Sequence, residues 1–331
     1  MTLSRRDLLR NAIGFASAMA IPAPLLGCLE GGREGSAAAA TDGAGPALSE
    51  SPFTPPPSPE DEERLIRWAG VLREEGLVDA DDSTGRAATR VGELAAGTPY
   101  EPYTLEQYIR VADGPPRAEP LTLHLDRFDC VTLVESCLAI GRVAHAEGPV
   151  QWQAFAREME RMRYRGGKRE GYTSRLHYFS EWLSDNERRG LVRLLGEELG
   201  ARPDTRPLRF MSSHPDSYPA LAYPEILAEI EAMERTLDDE PRWVVPTDRI
   251  AAVETQIETG DVLAFATSIE GLDVTHSAFA YRDDGGVLRV LHAPLSGGVV
   301  EITRSTVPEY VAAIRSSTGI LVARPLWGLA R

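Results

Sequence analysis

The sequence predicts an α+β fold, with helices first along the chain and antiparallel strands afterwards. Apolar residues recur at helical spacing after Ser58 and again after Asp129. Short strand-like runs separated by a turn-forming loop occupy residues 260–292. Because helices and strands do not alternate along the chain, this order argues against βαβ units.

Composition favours a globular protein that does not bind nucleic acid. The chain has 331 residues, of which 43% are hydrophobic, and this is enough for a substantial core. Fifty acidic and 35 basic residues give a formal net charge of −15, which repels polyanions. A cationic or mixed-charge substrate remains compatible with this charge.

The first 28 residues have the pattern of a targeting segment. Ser4-Arg5-Arg6-Asp7-Leu8-Leu9-Arg10 precedes a charge-free stretch, residues 11–27, and resembles a twin-arginine export signal. The stretch is short for a bilayer-spanning helix and contains Pro22 and Pro24, so we expect no permanent membrane span. Export to the periplasm or cell envelope is the prediction.

The end of this segment, Leu25-Leu26-Gly27-Cys28, resembles a bacterial lipobox, which would leave Cys28 lipidated and the protein attached to a membrane. The alternative is ordinary cleavage within the alanine run 37–40, with Cys28 discarded. Residues 29–57 are rich in Gly, Ala, Ser and Pro and are predicted to form a flexible tether.

The folded domain is predicted to span residues 58–331. Ser58 suits a helix N-cap, and Pro59 suits the first helical position. Acidic residues fill the first turn, and an amphipathic pattern follows.

A second helix is predicted from Cys130, with Asp129 as its N-cap. Unpaired N–H groups and the helix dipole at this end favour negative charge, so we expect the Cys130 thiol to ionise readily. Cys137 lies two turns further on. The two thiols would be roughly 10 Å apart along the axis, beyond the ~7 Å limit for a disulfide, so both should be free.

The strand-like runs 274–281 and 287–292 are predicted to form a β-hairpin that carries His276 and His292. A three-residue loop of Asp283, Asp284 and a left-handed Gly285 would place the two histidines directly opposite each other. A two-residue loop, Asp284-Gly285, would put them on opposite faces.

In the first register, Cys130, His276 and His292 would supply a nucleophile, a base and an orienting group for acyl transfer. Each residue also has a structural explanation. Cys130 could be a small buried hydrophobe, His276 a strand residue bonded to the backbone, and His292 a strand-end residue that faces water.

Several segments together resemble the N-acetylmuramoyl-L-alanine amidase-like family of papain-like, NlpC-related cell-wall cysteine hydrolases. They are Phe128-Asp129-Cys130-Val131-Thr132-Leu133-Val134-Glu135, Arg163-Tyr164-Arg165, Gly171-Tyr172, Ser174-Arg175-Leu176-His177-Tyr178, Gly260-Asp261-Val262, Thr275-His276-Ser277 and Leu291-His292-Ala293. The resemblance implies a papain-like domain, with a nucleophile at a helix N-terminus packed on an antiparallel sheet. It also implies catalysis by Cys130, His276 and His292. Ser277-Ala278 and Pro294 depart from the family pattern.

The segment between the helix and the strands is predicted to bind substrate. Its aromatic residues can stack on sugars and its arginines can bind carboxylates, so we assign Tyr172, Arg175 and His177 to a substrate cleft. The alternative is a solvated loop followed by an amphipathic helix. No metal or other cofactor is expected, since zinc-amidase spacings such as His-Glu-x-x-His are missing from the sequence. The alternative is a metal site assembled from scattered His and Asp residues.

Three functions remain open from the sequence. The first is a peptidoglycan amidase that cuts between N-acetylmuramic acid and L-alanine through a thioester. The second is an endopeptidase of the same fold that cuts between D-glutamate and the diamino acid of the stem peptide. The third is an envelope lipoprotein that binds murein without cutting it.

Overall fold

The computed structural model describes residues 56–79, 83–111, 116, 118–295 and 298–328. Its α-helices are α1 Pro59–Glu74, α2 Thr84–Leu94, α3 Cys130–His145, α4 Trp152–Arg163, α5 Phe179–Arg188, α6 Phe210–Ser213, α7 Pro224–Thr236, α8 Ile250–Val253 and α9 Val307–Ala313. Its 3₁₀ segments are Thr104–Val111, Arg165–Gly167, Tyr172–Ser174, Pro215–Ser217, Pro219–Ala222, Leu237–Asp239, Thr247–Arg249 and Glu254–Gln256. The predicted signal, Cys28 and nearly all of the tether lie outside the described residues.

The strands are β1 Val192–Leu194, β2 Arg202–Asp204, β3 Arg242–Pro246, β4 Val262–Thr267, β5 Val274–Arg282, β6 Leu288–His292, β7 Glu301–Ile302 and β8 Ser317–Pro325. They form one antiparallel sheet in the order β2-β3-β8-β4-β5-β6-β7, with β1 also paired to β8. The predicted α+β class is therefore confirmed.

Side chains that alternate along the central strands divide the core into two layers, as the period of a strand requires. On β4, Val262 and Ala264 face the layer formed with helices α1 to α5. Leu263 and Phe265 face the opposite layer, which α8 and α9 cover. Helix α3 lies in the first layer and packs on the sheet.

Helix α3 is buried along nearly its whole length. Asp129 caps its start as predicted: its carboxylate accepts the Thr132 N–H at 2.8 Å, and the Thr132 hydroxyl accepts the Asp129 N–H at 2.9 Å. At the other end, Arg73 of α1 donates to the carbonyls of Ala144 and Ala146, each at 2.8 Å. Both ends of the helix that begins with Cys130 are thus held by side chains.

The connection that enters β4 passes against α2 so closely that two glycines are required. Gly260 has a φ of +91°, and a Cβ added there would lie 2.1 Å from the Gly85 backbone. A Cβ on Gly85 would meet the Gly260 backbone at 2.9 Å. This contact sets the distance between α2 and the sheet.

The predicted helix start at Ser58 is also confirmed, since the Ser58 side chain accepts the Asp61 N–H and Pro59 is the first helical residue. Within the described ranges, no helix is long and apolar enough to cross a bilayer.

Candidate active site

Cys130 is the first residue of α3 and is completely buried. Ser277 of β5 lies close to its thiol, and the buried Ser277 hydroxyl has no hydrogen-bond partner among the described residues. Cys137 is buried two turns further along the same helix, and both thiols are free, as predicted. The helix start therefore presents one cysteine to the strand that carries His276.

The expectation that Cys130 ionises readily is wrong for this structure. Burial raises the pKa of its thiol to about 12, and the negative charge of Asp129 adds to the rise. Hydrogen-bonding groups of Ser277 and of the helix start oppose the rise without cancelling it. Loss of hydration outweighs the helix terminus because a charged sulfur would be surrounded by protein. At neutral pH Cys130 is thus a thiol, which would need a base in order to act as a nucleophile.

The hairpin differs from both predicted loops. The Asp283 N–H donates to the Val287 carbonyl at 3.1 Å, which closes a three-residue loop, and Gly286 instead of Gly285 takes the left-handed conformation, with a φ of +77°. Paired strand residues are Phe279 with Leu291 and Ala280 with Val290. His276 is therefore not directly opposite His292, and that prediction is wrong. The register differs from the predicted one by two residues, a shift that keeps both histidines on the same face.

The two histidines are hydrogen-bonded across this face. Nε2 of His276 lies 2.7 Å from Nδ1 of His292, and the rings meet edge to face with centroids 5.0 Å apart. His276 is nearly buried and His292 is fully buried. Burial lowers the pKa of His276 well below its ordinary value and that of His292 to about 4. Both rings are therefore neutral at pH 7, as a general base must be before it accepts a proton.

Two aromatic residues pack against the histidine pair, and neither was predicted from the sequence to belong to the site. The ring of Phe265 lies 5.5 Å from that of His276, and the ring of Tyr310 lies 5.1 Å from that of His292. The Tyr310 hydroxyl is 3.5 Å from His292 Nδ1. Tyr310 belongs to the short helix α9, where no nearby motif marks it.

A cavity connects the start of α3 with the histidine strand. Its wall includes Asp129 and Val131, which flank Cys130, together with His276 and Ser277. No hydrogen bond joins the Cys130 thiol to His276 among the described residues. Nucleophile and base contacts commonly tighten only when substrate binds. His276 therefore borders the cavity directly, whereas Cys130 lies between two residues of its wall and His292 is hydrogen-bonded to His276.

Arg175 and His177 also line this cavity. Arg175 is buried and is ion-paired with Glu106 and with Glu119, whose Oε1 is 3.0 Å from its Nε. From the sequence, Arg175 was predicted to bind a substrate carboxylate. In this structure it binds two carboxylates of the protein, those of Glu106 and Glu119.

Tyr172 and His177 form one aromatic pair next to Arg175. Their ring centroids are 4.5 Å apart, and His177 Nε2 is 2.8 Å from the Tyr172 carbonyl. Burial lowers the pKa of His177 well below its ordinary value, and Arg175 adds to this effect. Tyr172 is buried, and its hydroxyl has no partner among the described residues. The role of all three in substrate binding stays a prediction.

A buried ion pair supports the cavity from the α3 side. Glu135, one and a half turns after Cys130, accepts from Arg163 Nε at 2.8 Å and from Trp182 Nε1 at 3.2 Å. These contacts join α3 to α4 and α5. All three residues lie in the family-like segments or beside them, but sequence alone does not show that they meet.

Side chains able to bind a metal come together elsewhere, at Asp61, His124 and Asp126, whose ligand atoms lie within 4.8 Å of one another. Protein groups already engage both carboxylates: Asp61 accepts the Leu125 N–H at 3.1 Å, and Asp126 accepts from Arg127 at 2.9 Å. Protein hydrogen bonds therefore account for this cluster without an ion.

Comparisons with known proteins place the chain in a family. The family model described as N-acetylmuramoyl-L-alanine amidase-like matches residues 90–320. Among solved structures, an N-acetylmuramoyl-L-alanine amidase from Bacteroides uniformis is 31% identical, with a TM-score of 0.66, and the match covers 73% of this chain and 99% of that one. A second structure of that amidase is 32% identical, with a TM-score of 0.66, over 73% of this chain and 98% of that one.

A Legionella pneumophila protein shares the fold at 18% identity and a TM-score of 0.60, and the match covers 81% of this chain and 95% of that one. A search of curated proteins found no match. The matched family region contains Cys130, His276 and His292, and it ends only a few residues before the end of β8. On these grounds the chain belongs to the N-acetylmuramoyl-L-alanine amidase-like family.

Proposed function

We propose that this protein is a cysteine-dependent peptidoglycan amidase of papain-like, NlpC-type fold that cuts the amide bond between N-acetylmuramic acid and L-alanine. The observation that carries the proposal is the 2.7 Å hydrogen bond between His276 and His292 beside a cavity that the Cys130 helix also borders. A neutral base with an oriented ring, close to a buried thiol, is the arrangement needed for nucleophilic acyl transfer.

In the first half of the reaction, the sulfur of Cys130 attacks the lactyl carbonyl carbon of the muramic acid. The thiol proton passes to His276, because the raised pKa of Cys130 leaves no preformed thiolate. His276 then gives this proton to the alanine nitrogen as the C–N bond breaks. The stem peptide leaves with a free amino group, and the lactyl group remains on sulfur as a thioester.

In the second half, water attacks the thioester and gives a proton to His276, and the sulfur leaves. The products are a free lactyl carboxyl group and the restored Cys130 thiol, which recovers the proton from His276. The N–H of Cys130 is in the first turn of α3, where backbone donors have no partner within the helix, and it can bind the oxyanion in both halves.

We further propose that the protein acts outside the cytoplasm. The twin-arginine-like segment at residues 4–10 and the lipobox-like Cys28 support this location. Lipid on Cys28 would hold the domain at a membrane through the 29–57 segment, within reach of murein. Labelling with a radioactive fatty acid, compared between the wild type and Cys28→Ala, tests the anchor directly.

Digestion of purified peptidoglycan tests the enzyme. The mature protein, Cys130→Ala and Cys137→Ala are incubated with murein, and soluble products are identified by mass. We expect stem peptides that begin with L-alanine from the wild type and from Cys137→Ala, and none from Cys130→Ala. Cys137 is a matched control, since it is a second buried thiol on the same helix.

Other outcomes would redirect the proposal. Shorter peptides produced in a Cys130-dependent way would move the scissile bond to the D-glutamyl position of the stem. Equal products from the wild type and Cys130→Ala would contradict cysteine catalysis. Binding to murein without any products would favour the non-catalytic lipoprotein.

A further inference from the structure

His292 has one ring nitrogen, Nε2, with no role in the proposed reaction. His292 is fully buried, and its Nε2 atom has no hydrogen-bond partner among the described residues. Leaving a buried polar atom unpaired costs free energy. Such an atom beside a base suggests that its partner engages during the reaction.

The proton count across the pair shows what this nitrogen must be. Of two ring nitrogens that lie 2.7 Å apart, one must carry a hydrogen and donate it to the other. If His276 is to accept the thiol proton on Nδ1, its resting proton must be on Nε2 and point at His292. A neutral His292 then accepts at Nδ1 and carries its own proton on Nε2. The unpaired buried nitrogen is thus an N–H donor.

Within the described part of the chain, the carboxylate nearest to this N–H donor belongs to Glu301. It lies on β7 directly opposite His292 in the strand register, and its Oε1 is 3.7 Å from His292 Nε2. The Glu301 side chain is 47% exposed, so it can move without disturbing the core. Tyr310 approaches the other nitrogen of the ring, at 3.5 Å from Nδ1, and does not serve Nε2.

We propose that Glu301 is a positioning residue for the reaction, the fourth group in the order Cys130, His276, His292, Glu301. This inference rests on the proposed function. The carboxylate selects the His292 tautomer with hydrogen on Nε2, which orients His276 with its free nitrogen toward the thiol. When His276 becomes protonated, positive charge appears on the histidine pair, and Glu301 closes the 3.7 Å gap to stabilise it.

Three variants separate these roles. Glu301→Gln keeps the shape and an acceptor oxygen but removes the charge, and Glu301→Ala removes both. Glu74→Gln is the control, because Glu74 is an exposed glutamate of α1. Its neighbour Arg73 bonds to the C-terminal end of α3, the end opposite Cys130. Each variant is checked for folding by circular dichroism.

Two measurements are made on each protein: kcat and KM on a soluble muropeptide, and ring ¹⁵N chemical shifts of labelled histidine at pH 7. We expect Glu301→Ala to lower kcat about 10- to 100-fold with little change in KM, and to move His292 away from the Nε2–H tautomer. Glu301→Gln should keep the tautomer and still lose turnover. Glu74→Gln should match the wild type.

Unchanged kcat in both Glu301 variants, or a wild-type His292 with hydrogen on Nδ1, would overturn the inference. Failure of the proposed function looks different, because the wild type would then show no turnover or Cys130→Ala would remain active. In that event the ¹⁵N shifts of the wild type and Glu301→Ala still decide whether Glu301 selects the tautomer.

Discussion

Nε2 of His276 lies 2.7 Å from Nδ1 of His292, although the two residues are not opposite each other in the hairpin. The contact is diagonal across two strands, and long side chains on one face can span such a diagonal. Aromatic rings of Phe265 and Tyr310 limit the space in which either imidazole can turn. The proposed base, His276, is therefore oriented by packing as well as by its hydrogen bond.

Replacing the base should remove turnover without unfolding the protein. We expect His276→Gln to lower kcat by about 10²- to 10⁴-fold, since glutamine cannot take a proton from the thiol. His214→Gln is the control, because His214 bonds to the Phe210 carbonyl on α6 and lies outside the cavity wall. Muropeptide turnover and circular dichroism are the measurements. A loss below about tenfold would argue against His276 as the base.

The pH profile should be broad, because the pKa values of base and nucleophile are shifted apart. The proposed mechanism requires a neutral His276, whose pKa lies well below the ordinary value of 6.5, and a protonated Cys130, whose pKa is about 12. We therefore expect kcat/KM to be flat from pH 6.5 upward through neutral pH and to fall only as His276 is protonated in more acidic solution. A fall in kcat/KM already between pH 7 and 6 would contradict neutral resting histidines.

Removing Arg175 should lower the free energy of unfolding, whether or not Arg175 also contacts substrate. Arg175→Ala leaves Glu106 and Glu119 buried without their cation, which we expect to cost about 3–5 kcal/mol in free energy of unfolding. Arg188→Ala breaks the exposed pair with Glu240 and a 3.7 Å contact with Asp185, which Arg189 still pairs. It should cost no more than about 1 kcal/mol. Urea denaturation of both variants measures the difference. Equal costs would mean that the Arg175 pairs contribute little to folding.

The contact between Gly260 and Gly85 should tolerate no side chain. Gly260→Ala combines an unfavourable φ with a backbone clash, so we expect a loss of more than about 3 kcal/mol in free energy of unfolding. Gly76→Ala is the matched control: its φ is +69°, but nothing lies within 4 Å of the new Cβ. Its cost should be about 1–2 kcal/mol. Similar thermal midpoints for the two variants would show that α2 can move away from the sheet.

The elements around Cys130 could be predicted because local chemistry determines them. Asp129 and Ser58 have the side chains of N-caps, and both cap helices as expected. The strand runs 274–281 and 287–292 agree with β5 and β6 within one residue. Side chains alternate between the two faces of a strand, and for a three-residue loop this alternation also predicts that His276 and His292 lie on the same face.

Other features depend on contacts between distant segments and could not be predicted. Either Gly285 or Gly286 can take the left-handed position in the hairpin, and the choice changes the register by two residues. The raised pKa of Cys130 comes from burial by the whole domain, which a helix-end argument does not include. Glu301 and Tyr310 approach His292 only because β7 and α9 fold back over β6.

Strand β8 is made after every other described strand, yet it lies in the middle of the sheet, between β3 and β4. A growing chain that stops before residue 317 has nothing to join β2 and β3 to the strands that carry the histidines. Helix α3 is therefore synthesised almost two hundred residues before the sheet beneath it can close. The sheet can accordingly be completed only when translation is nearly finished, and the chain is expected to be inactive until β8 is in place.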